Sequence, residues 1–288
     1  MQGVIAAVPT PIGADRSPIK NLYIEHCRWV LANGCDGLNI LGSTGEANSL
    51  DIVARREVMG WATKELPVER LMVGTGTPSL QETIALTEHA DDLGYGVALV
   101  LPPYYYKPLS NAGLIDWYMA LDEALGSRAI QVYFYNYPQM TGLGIPVQVI
   151  AKLAQRAPAR FTGIKDSSGD LDYCRAIVAI NAALRVFPSS ETALETAKID
   201  GFAGCISASV NTTARLAAQI WAQRAVPPAD LCAEIARQRG VIIGPTLVAN
   251  IKSLIADRTG DPRWRAVVSP FCALPDVDGR RLAAELKG

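Results

Sequence analysis

The chain has 288 residues, of which 49% are hydrophobic and 19% are charged. This composition excludes a disordered chain and a coiled coil, and the length allows either two domains or one large α/β barrel. The 27 basic residues nearly balance the 28 acidic ones, for a formal net charge of −1, so there is no basic excess of the kind that binds nucleic acid or anionic membranes.

Short apolar runs alternate with longer amphipathic segments through most of the chain. The nearly continuous apolar character of these runs is typical of parallel strands that are buried on both faces. Eight strands are therefore predicted, at residues 3–8, 37–41, 71–74, 97–101, 130–135, 161–165, 185–187 and 203–206.

The segments between these runs have the apolar periodicity of helices. In the third segment, Ser79 followed by Glu82 predicts a capping box, in which each side chain bonds to the other residue's backbone N–H. Gly94 suits the position just after that helix. Helices are predicted at residues 19–31, 50–66, 79–93, 110–125, 146–155, 170–181, 191–198 and 211–224.

Eight successive strand–helix units predict an α/β protein built as a (β/α)8 TIM barrel, which we place at residues 1–225 as the catalytic domain. An open, doubly wound sheet is the alternative, but the first strand–helix turn lacks the G-x-G-x-x-G sequence of dinucleotide-binding folds. No further strand is predicted in residues 226–288, which we interpret as a helical region packed on the barrel. Its helices are predicted at 228–239, 241–257, 261–267 and 278–287.

The cysteines and the N-terminus indicate a reducing compartment. The six cysteines are scattered and form no C-x-x-C pair, which suits neither a disulfide framework nor a zinc ribbon. No basic segment precedes an apolar one at the N-terminus, and no run of 18 apolar residues occurs, so we expect a cytoplasmic protein. His26 and His89 lie far from any H-E-x-x-H pattern, and no metal site is predicted.

Lys165 closes the sixth apolar run, at the end of the strands where a parallel barrel places its active site. Apolar surroundings favour the neutral amine of a lysine, which is the form that attacks a ketone. Alternation along the strand turns Asp166 to the opposite face, which makes it a poor partner for the lysine. Two alternatives stay open: a structural lysine paired with another carboxylate, and a lysine that binds phosphate.

Polar and aromatic residues follow other predicted strands. The turn Gly42–Gly45 offers hydroxyls and backbone N–H groups that could hold a carboxylate or phosphate, or it is an ordinary Gly-rich turn. Tyr135 could transfer a proton near Lys165, or it is a buried tyrosine with a satisfied hydroxyl. The run Tyr104–Tyr106 indicates a subunit contact, an active-site rim or a rigid loop.

Three segments resemble, in order and spacing, the signatures of the dihydrodipicolinate synthase / N-acetylneuraminate lyase family. They are Gly42-Ser43-Thr44-Gly45-Glu46, Tyr135-Asn136-x-Pro138 and Gly163-Ile164-Lys165-Asp166. The resemblance runs from Gly3 to near the end of the chain. It implies a (β/α)8 barrel with a C-terminal helical region, a homotetramer, and a lyase that needs neither metal nor cofactor.

The resemblance implies pyruvate chemistry through a Schiff base. Lys165 would condense with the ketone of pyruvate or of another 2-oxo acid. The iminium would stabilise an enamine that adds to an aldehyde, or that is released by carbon–carbon cleavage in the reverse direction. Tyr135 would carry the proton of the aldehyde oxygen, and Ser43 would connect Tyr135 with Tyr105 from a neighbouring subunit.

The resemblance also implies which residues bind the substrate. Ser43, Thr44 and Gly45 would hold the carboxylate of pyruvate. The main chain at Ile206 and the side chain of Ser189 would border the rest of the pyruvate molecule. The expected partners are therefore small molecules, with no nucleic acid and no membrane.

Some positions depart from the biosynthetic branch of this family, which condenses pyruvate with aspartate semialdehyde. That branch has an arginine for the second substrate's carboxylate where this chain has Met140, and a glycine where this chain has Ser189. Ser167 could contact a hydroxylated chain, and Tyr137 and Thr141 resemble the branch that cleaves 2-keto-3-deoxy sugar acids.

These departures favour a 2-keto-3-deoxy sugar acid aldolase. Within the same chemistry, the alternatives are a 4-hydroxy-tetrahydrodipicolinate (dihydrodipicolinate) synthase and a 2-keto-3-deoxy acid dehydratase. Outside this chemistry, the alternatives are a barrel that senses a 2-oxo acid without turnover and a phosphate-binding barrel isomerase.

Overall fold

Eight parallel strands wrap into a nearly closed barrel in the computed structural model, which describes residues 1–287. The strands are β1 (Gly3–Ala7), β2 (Gly37–Ile40), β3 (Leu71–Gly74), β4 (Val97–Val100), β5 (Gln131–Asn136), β6 (Phe161–Asp166), β7 (Arg185–Pro188) and β8 (Gly204–Ser207). Each strand from β1 to β7 pairs with its neighbour in sequence, and β8 pairs with β1. At the remaining seam, Ala203 N donates to Val186 O at 2.9 Å.

Helices lie between the strands and after the last one. They are α1 (Lys20–Ala32), α2 (Ile52–Glu65), α3 (Leu80–Asp92), α4 (Asn111–Leu125), α5 (Pro138–Thr141), α6 (Val147–Arg156), α7 (Leu171–Ile180), α8 (Ala197–Asp200), α9 (Val210–Ala222), α10 (Ala229–Ile242), α11 (Leu247–Thr259) and α12 (Asp276–Lys287). The predicted (β/α)8 barrel with C-terminal helices is confirmed. The doubly wound alternative is wrong, because the strand order has no reversal in the middle of the sheet. The division of the chain at residue 225 stays a prediction.

The strands are mostly apolar because both of their faces are buried. Inward-pointing side chains such as Ile5, Met72, Leu99 and Phe187 fill the interior of the barrel. Outward-pointing side chains pack against the surrounding helices in a second, larger cluster. Such double burial removes the alternation of polar and apolar residues that a half-exposed strand shows.

Three predicted helices differ from those in the structure. The helix predicted at 241–257 begins only at Leu247 of α11, because α10 continues to Ile242. The helix predicted at 191–198 is a 3₁₀ helix, Glu191–Glu195, followed by the short α8. Its first residue is tied to the barrel, because the buried Glu191 carboxylate accepts hydrogen bonds from Ser207 and Ser209. The helix predicted at 261–267 is a single 3₁₀ turn, Pro262–Arg265.

The capping box predicted at the start of α3 is half formed. Ser79 Oγ accepts a hydrogen bond from the Glu82 backbone N–H at 3.3 Å, as predicted. The Ser79 backbone N–H donates instead to Thr77 Oγ1 at 3.1 Å. Because the preceding threonine satisfies this donor, the Glu82 side chain remains exposed. Gly94 follows the helix with φ +88°, as predicted for that position.

The C-terminal helices pack against the barrel beside α1. His26 of α1 is buried at this contact, with Arg258 Nη2 at 3.0 Å from its Nδ1 and Asn211 Oδ1 at 2.8 Å from its Nε2. Since a guanidinium only donates, Nδ1 is the acceptor and Nε2 carries the proton, so the ring is neutral. Burial lowers the pKa of His26 to about 3.

No single helix within residues 1–287 is long and apolar enough to cross a membrane. Only α10 and α11 taken together reach that length and composition, and the two helices meet at a bend of 107°.

His26 should make the protein less stable as the pH falls from 6.5 towards 3. The unfolded histidine binds a proton near pH 6.5, whereas the folded one does so only near pH 3. Unfolding therefore takes up a proton within this window, and acid favours it by about 2 kcal/mol at pH 5 relative to pH 7. We expect urea unfolding at these two pH values to show a smaller acid loss in His26→Gln than in the wild type.

An exposed residue without a titratable group provides the control for this prediction. Gln219→Ala should keep the wild-type loss of stability between pH 7 and pH 5. An equal loss in His26→Gln and in the wild type would assign the acid sensitivity to other groups.

Candidate active site

A cavity of about 520 Å³ opens at the carboxyl ends of the strands, where parallel barrels place their active sites. Eight of the ten predicted site residues line it. These are Ser43, Thr44, Tyr135, Met140, Lys165, Ser167, Ser189 and Ile206. Most of the residues predicted from the sequence therefore lie in one cavity, although they lie at the ends of five different strands.

Gly45 and Tyr105 do not line this cavity. Gly45 lies behind its wall, where its carbonyl accepts a hydrogen bond from Thr10 Oγ1 at 2.8 Å. The side chain of Tyr105 is 72% exposed and lies outside the cavity of its own chain. Tyr104, which was not singled out, lines the cavity in its place.

Lys165 is 4% exposed and lies at the end of β6. Its Nζ is 3.3 Å from the hydroxyl oxygen of Tyr135 and 4.4 Å from the centre of that ring. The two side chains meet because Tyr135 and Lys165 are partners in the register of β5 and β6. No carboxylate within residues 1–287 forms an ion pair with Lys165. The alternative of a structural, carboxylate-paired lysine is therefore wrong.

Asp166 turns away from the lysine, as strand alternation predicts. Its Oδ1 accepts a hydrogen bond from Asn136 Nδ2 at 2.7 Å, and its Oδ2 accepts one from Ser168 Oγ at 2.7 Å. Burial raises the pKa of Asp166, and these hydrogen bonds oppose that shift. Asn136 Oδ1 also accepts from Ile145 N at 3.0 Å. This network joins the ends of β5 and β6 and keeps the Asp166 carboxylate away from the lysine.

The loop after β2 brings a hydroxyl to the same point. Ser43–Gly45 forms a 3₁₀ turn, and Ser43 Oγ lies 3.3 Å from the Tyr135 hydroxyl. Leu41 and Glu46, on either side of this turn, have φ of 53° and 56°. Non-glycine residues adopt this left-handed region only where surrounding contacts hold them, and such strain is frequent at functional sites.

A buried ion pair holds one end of this loop. Glu46 Oε1 pairs with Lys252 Nζ of α11, and neither side chain is exposed. Glu46 Oε2 also accepts from Val268 N at 2.6 Å, and Lys252 Nζ donates to Ala266 O at 2.7 Å. Burial lowers the pKa of Lys252, and the adjacent Glu46 opposes that shift. The segment 266–271, whose Pro270 and Phe271 line the cavity, is thereby fixed to the loop.

The fold and the cavity together define a class of protein. The arrangement combines a barrel mouth, a buried lysine amine, a phenol within hydrogen-bond reach and a loop that carries hydroxyls. These are the parts of a barrel enzyme that acts on a small carbonyl compound.

Comparison with known proteins identifies the family. The sequence model of the Dihydrodipicolinate synthetase family matches residues 1–242. An uncharacterized DapA-like lyase of Chloroflexus aurantiacus is 32% identical over 221 residues, covering 76% of this chain and 74% of that protein. A 4-hydroxy-tetrahydrodipicolinate synthase of Methanothermobacter thermautotrophicus is 35% identical over 173 residues, covering 60% of this chain and 59% of that protein.

A solved structure agrees with these sequences. The chloride-inhibited dihydrodipicolinate synthase of Acinetobacter baumannii, complexed with pyruvate, superposes with a TM-score of 0.86 and 26% identity, covering 99% of this chain and 98% of that one. The chain therefore belongs to the dihydrodipicolinate synthetase family and is a lyase of that family. The resemblance drawn from the three motifs is confirmed.

Proposed function

We propose that the protein is a Schiff-base aldolase that cleaves or forms the bond between pyruvate and an aldehyde, with a 2-keto-3-deoxy sugar acid as the joined compound. The observation that carries this proposal is the environment of Lys165. Its amine is almost fully buried, has no carboxylate partner among residues 1–287 and lies 3.3 Å from a phenol that can exchange a proton with it.

Lys165 Nζ attacks the carbonyl carbon of pyruvate, and loss of water leaves an iminium. Loss of a proton from the adjacent methyl carbon gives an enamine, because the iminium nitrogen accepts the electron pair. The enamine carbon then attacks the aldehyde, whose oxygen takes up a proton, and water releases the product and restores the amine. Ser43 and Thr44, which line the cavity beside the lysine, hold the carboxylate.

Tyr135 is placed to carry the proton of the aldehyde oxygen. Its hydroxyl lies 3.3 Å from both Lys165 Nζ and Ser43 Oγ, so that it can accept from one neighbour while it donates to the other. The ring of Tyr137 stacks on that of Tyr135, with centroids 5.8 Å apart, and limits its movement.

The protein acts as a cytoplasmic homotetramer in this proposal. Tyr105 and Tyr106 are 72% and 78% exposed, and their rings contact edge to face with centroids 5.1 Å apart. Such an exposed aromatic pair suits a subunit contact. In this proposal, Tyr105 enters the active site of the neighbouring subunit and extends the proton path from Tyr135 through Ser43.

The cavity wall beyond β5 differs from that of the biosynthetic branch, in which an arginine binds the carboxylate of aspartate semialdehyde. Met140 lines the cavity at this position and offers neither a charge nor a strong donor there. Ser167 and Ser189 also line it and can bond to hydroxyl groups. The Thr141 hydroxyl is not free to donate to a substrate, because it donates to Leu143 O at 2.7 Å. The synthase alternative is supported by the names of relatives, and the dehydratase would use the same lysine.

A screen of pyruvate with several aldehydes, followed by steady-state kinetics, tests the proposal. Turnover with hydroxylated aldehydes supports it. Turnover with aspartate semialdehyde alone would make the protein a synthase, and saturable pyruvate binding without any turnover would make it a sensor.

Tyr135→Phe should slow turnover far more than it weakens pyruvate binding. Loss of the proton carrier is expected to lower kcat by about a hundredfold or more, because general acid–base groups contribute about 10²–10⁴-fold. The KM for pyruvate should change much less, since the residues proposed to hold the carboxylate are intact. Steady-state kinetics at saturating aldehyde gives both constants.

Tyr133→Phe is the matched control for this prediction. Tyr133 points into the barrel interior from the same strand, and its buried hydroxyl has no partner within residues 1–287. Its removal should leave kcat close to that of the wild type. A raised KM with unchanged kcat in Tyr135→Phe would remove this tyrosine from the proton path.

A further inference from the structure

Arg239 of α10 brings a guanidinium to the wall of the cavity that holds Lys165. Its Nη1 donates to Glu191 Oε2 at 2.9 Å, to Ser209 Oγ at 2.6 Å and to Ser207 Oγ at 3.2 Å. The Glu191 side chain is fully buried, whereas the Arg239 side chain is 19% exposed. Arg239 is therefore held by residues at or just beyond the ends of β7 and β8, and part of its side chain stays exposed where it lines the cavity.

All three hydrogen bonds of Arg239 use one nitrogen of its guanidinium. Within residues 1–287, Nε and Nη2 bond to no other residue, and neither atom is sealed from solvent. The pairing with Glu191 thus uses only Nη1 of the guanidinium. Among these residues, the N–H groups of Nε and Nη2 have no partner. Guanidinium nitrogens that lie side by side in one plane bind a carboxylate or a phosphate through two parallel hydrogen bonds.

The other charged side chains that line the cavity are already engaged. Glu46 is paired with Lys252, and Lys165 is the proposed nucleophile. Arg239 is the one guanidinium among the lining residues described for 1–287. Met140, beyond the end of β5, is 62% exposed and uncharged. A second anionic group in this cavity would therefore find its strongest partner at Arg239.

The position of Arg239 in the barrel supports the same conclusion. Its partner Glu191 follows β7, and Ser207 and Ser209 lie at the end of β8. In parallel barrels, the loops after the seventh and eighth strands frequently form a phosphate-binding site. Ser43 and Lys165 lie at the ends of β2 and β6, and the cavity of about 520 Å³ has the size of a small-molecule pocket.

We infer that Arg239 binds a second anionic group, a carboxylate or a phosphate, at the end of the substrate remote from the ketone. This inference rests on the proposed Schiff-base function and narrows its substrate class to 2-oxo acids with an anionic terminus. The aldehyde released by cleavage, or taken up in synthesis, consequently carries a negative charge.

Aldol addition of pyruvate to three short aldehydes tests this inference. Glyceraldehyde is neutral, glyceraldehyde 3-phosphate carries a phosphate and tartronate semialdehyde carries a carboxylate. We expect kcat/KM to be higher by about tenfold or more for an anionic aldehyde than for glyceraldehyde, because hydrogen bonds to charged groups are strong. The better of the two anionic aldehydes identifies the anion as phosphate or carboxylate. Equal kcat/KM values for all three aldehydes would overturn the inference.

A double variant, Glu191→Gln with Arg239→Gln, tests whether this arginine is responsible. It removes both charges of the pair, so that no unpaired charge is left buried. The preference for the anionic aldehyde should be lost. Arg237→Gln is the matched control, because Arg237 lies on the same helix, is exposed and pairs with Glu234 at 2.7 Å outside the cavity. It should keep the wild-type preference, and an unchanged preference in the double variant would overturn the inference.

Borohydride trapping of wild-type protein with pyruvate separates this inference from the proposed function. Absence of an adduct would refute the Schiff-base proposal and, with it, the inference. An adduct on Lys165 without any preference for anionic aldehydes would refute the role of Arg239 alone.

Discussion

Replacing Lys165 by Ala or by Arg should abolish turnover while the fold stays intact. Neither side chain supplies an amine that condenses with a ketone, so kcat is expected to fall by about 10⁴-fold or more. The arginine variant separates two roles of the lysine, because a guanidinium keeps the positive charge that a phosphate contact needs. Steady-state kinetics with pyruvate and the best aldehyde measures the loss.

Circular dichroism and an exposed lysine provide the controls. Lys152→Ala, on the solvent side of α6, should keep wild-type activity. Lys165→Ala and Lys165→Arg should keep the wild-type circular dichroism spectrum. High activity in Lys165→Arg would favour the phosphate-binding isomerase, and an unfolded Lys165→Ala would make the lysine structural.

Lys252→Met should destabilise the protein by about 3–5 kcal/mol, because it leaves a buried carboxylate without its partner. Both side chains of the Glu46–Lys252 pair are fully buried, so that water cannot replace the lost ammonium. Glu46 also holds the end of the Ser43–Gly45 turn, and we therefore expect the KM for pyruvate to rise in the same variant. Urea unfolding at pH 7 gives the free energy of unfolding.

Two further variants calibrate this loss of stability. The double variant Glu46→Gln with Lys252→Met should lose less than Lys252→Met alone, because no buried charge remains. Glu234→Gln breaks an exposed pair with Arg237 and should cost only about 0–1 kcal/mol. If Lys252→Met is no less stable than Glu234→Gln, the buried pair does not hold the two segments together.

The strands and most of the helices follow from the sequence for a simple reason. In a barrel that is covered by helices, the strands are mostly apolar on both faces, and most polar residues lie on helix surfaces, in loops or at the ends of strands. Where a tertiary contact competes with local preference, the prediction was wrong. The segment that begins with Glu191 has the composition of a helix, but its first side chain is bonded into the end of β8.

The candidate site likewise contains some residues that the sequence could predict and others that it could not. Ser43, Tyr135 and Lys165 lie in local motifs at strand ends, so that the sequence alone could place them together. Lys252 and Arg239 could not be found from the sequence, because their partners are 206 and 48 residues away, and no local pattern marks either lysine or arginine. Tyr104 was named only as part of an aromatic run, and the sequence could not show which of its members faces the cavity.

Reductive trapping of the wild-type protein with pyruvate tests the central proposal most directly. The protein is incubated with pyruvate, reduced with borohydride, and examined by intact mass and peptide mapping. We expect one reduced pyruvate per chain, attached to the peptide that contains Lys165 and absent in Lys165→Arg. A folded protein that acquires no adduct, or that acquires one on another lysine, would contradict the assignment of Lys165 as the Schiff-base residue.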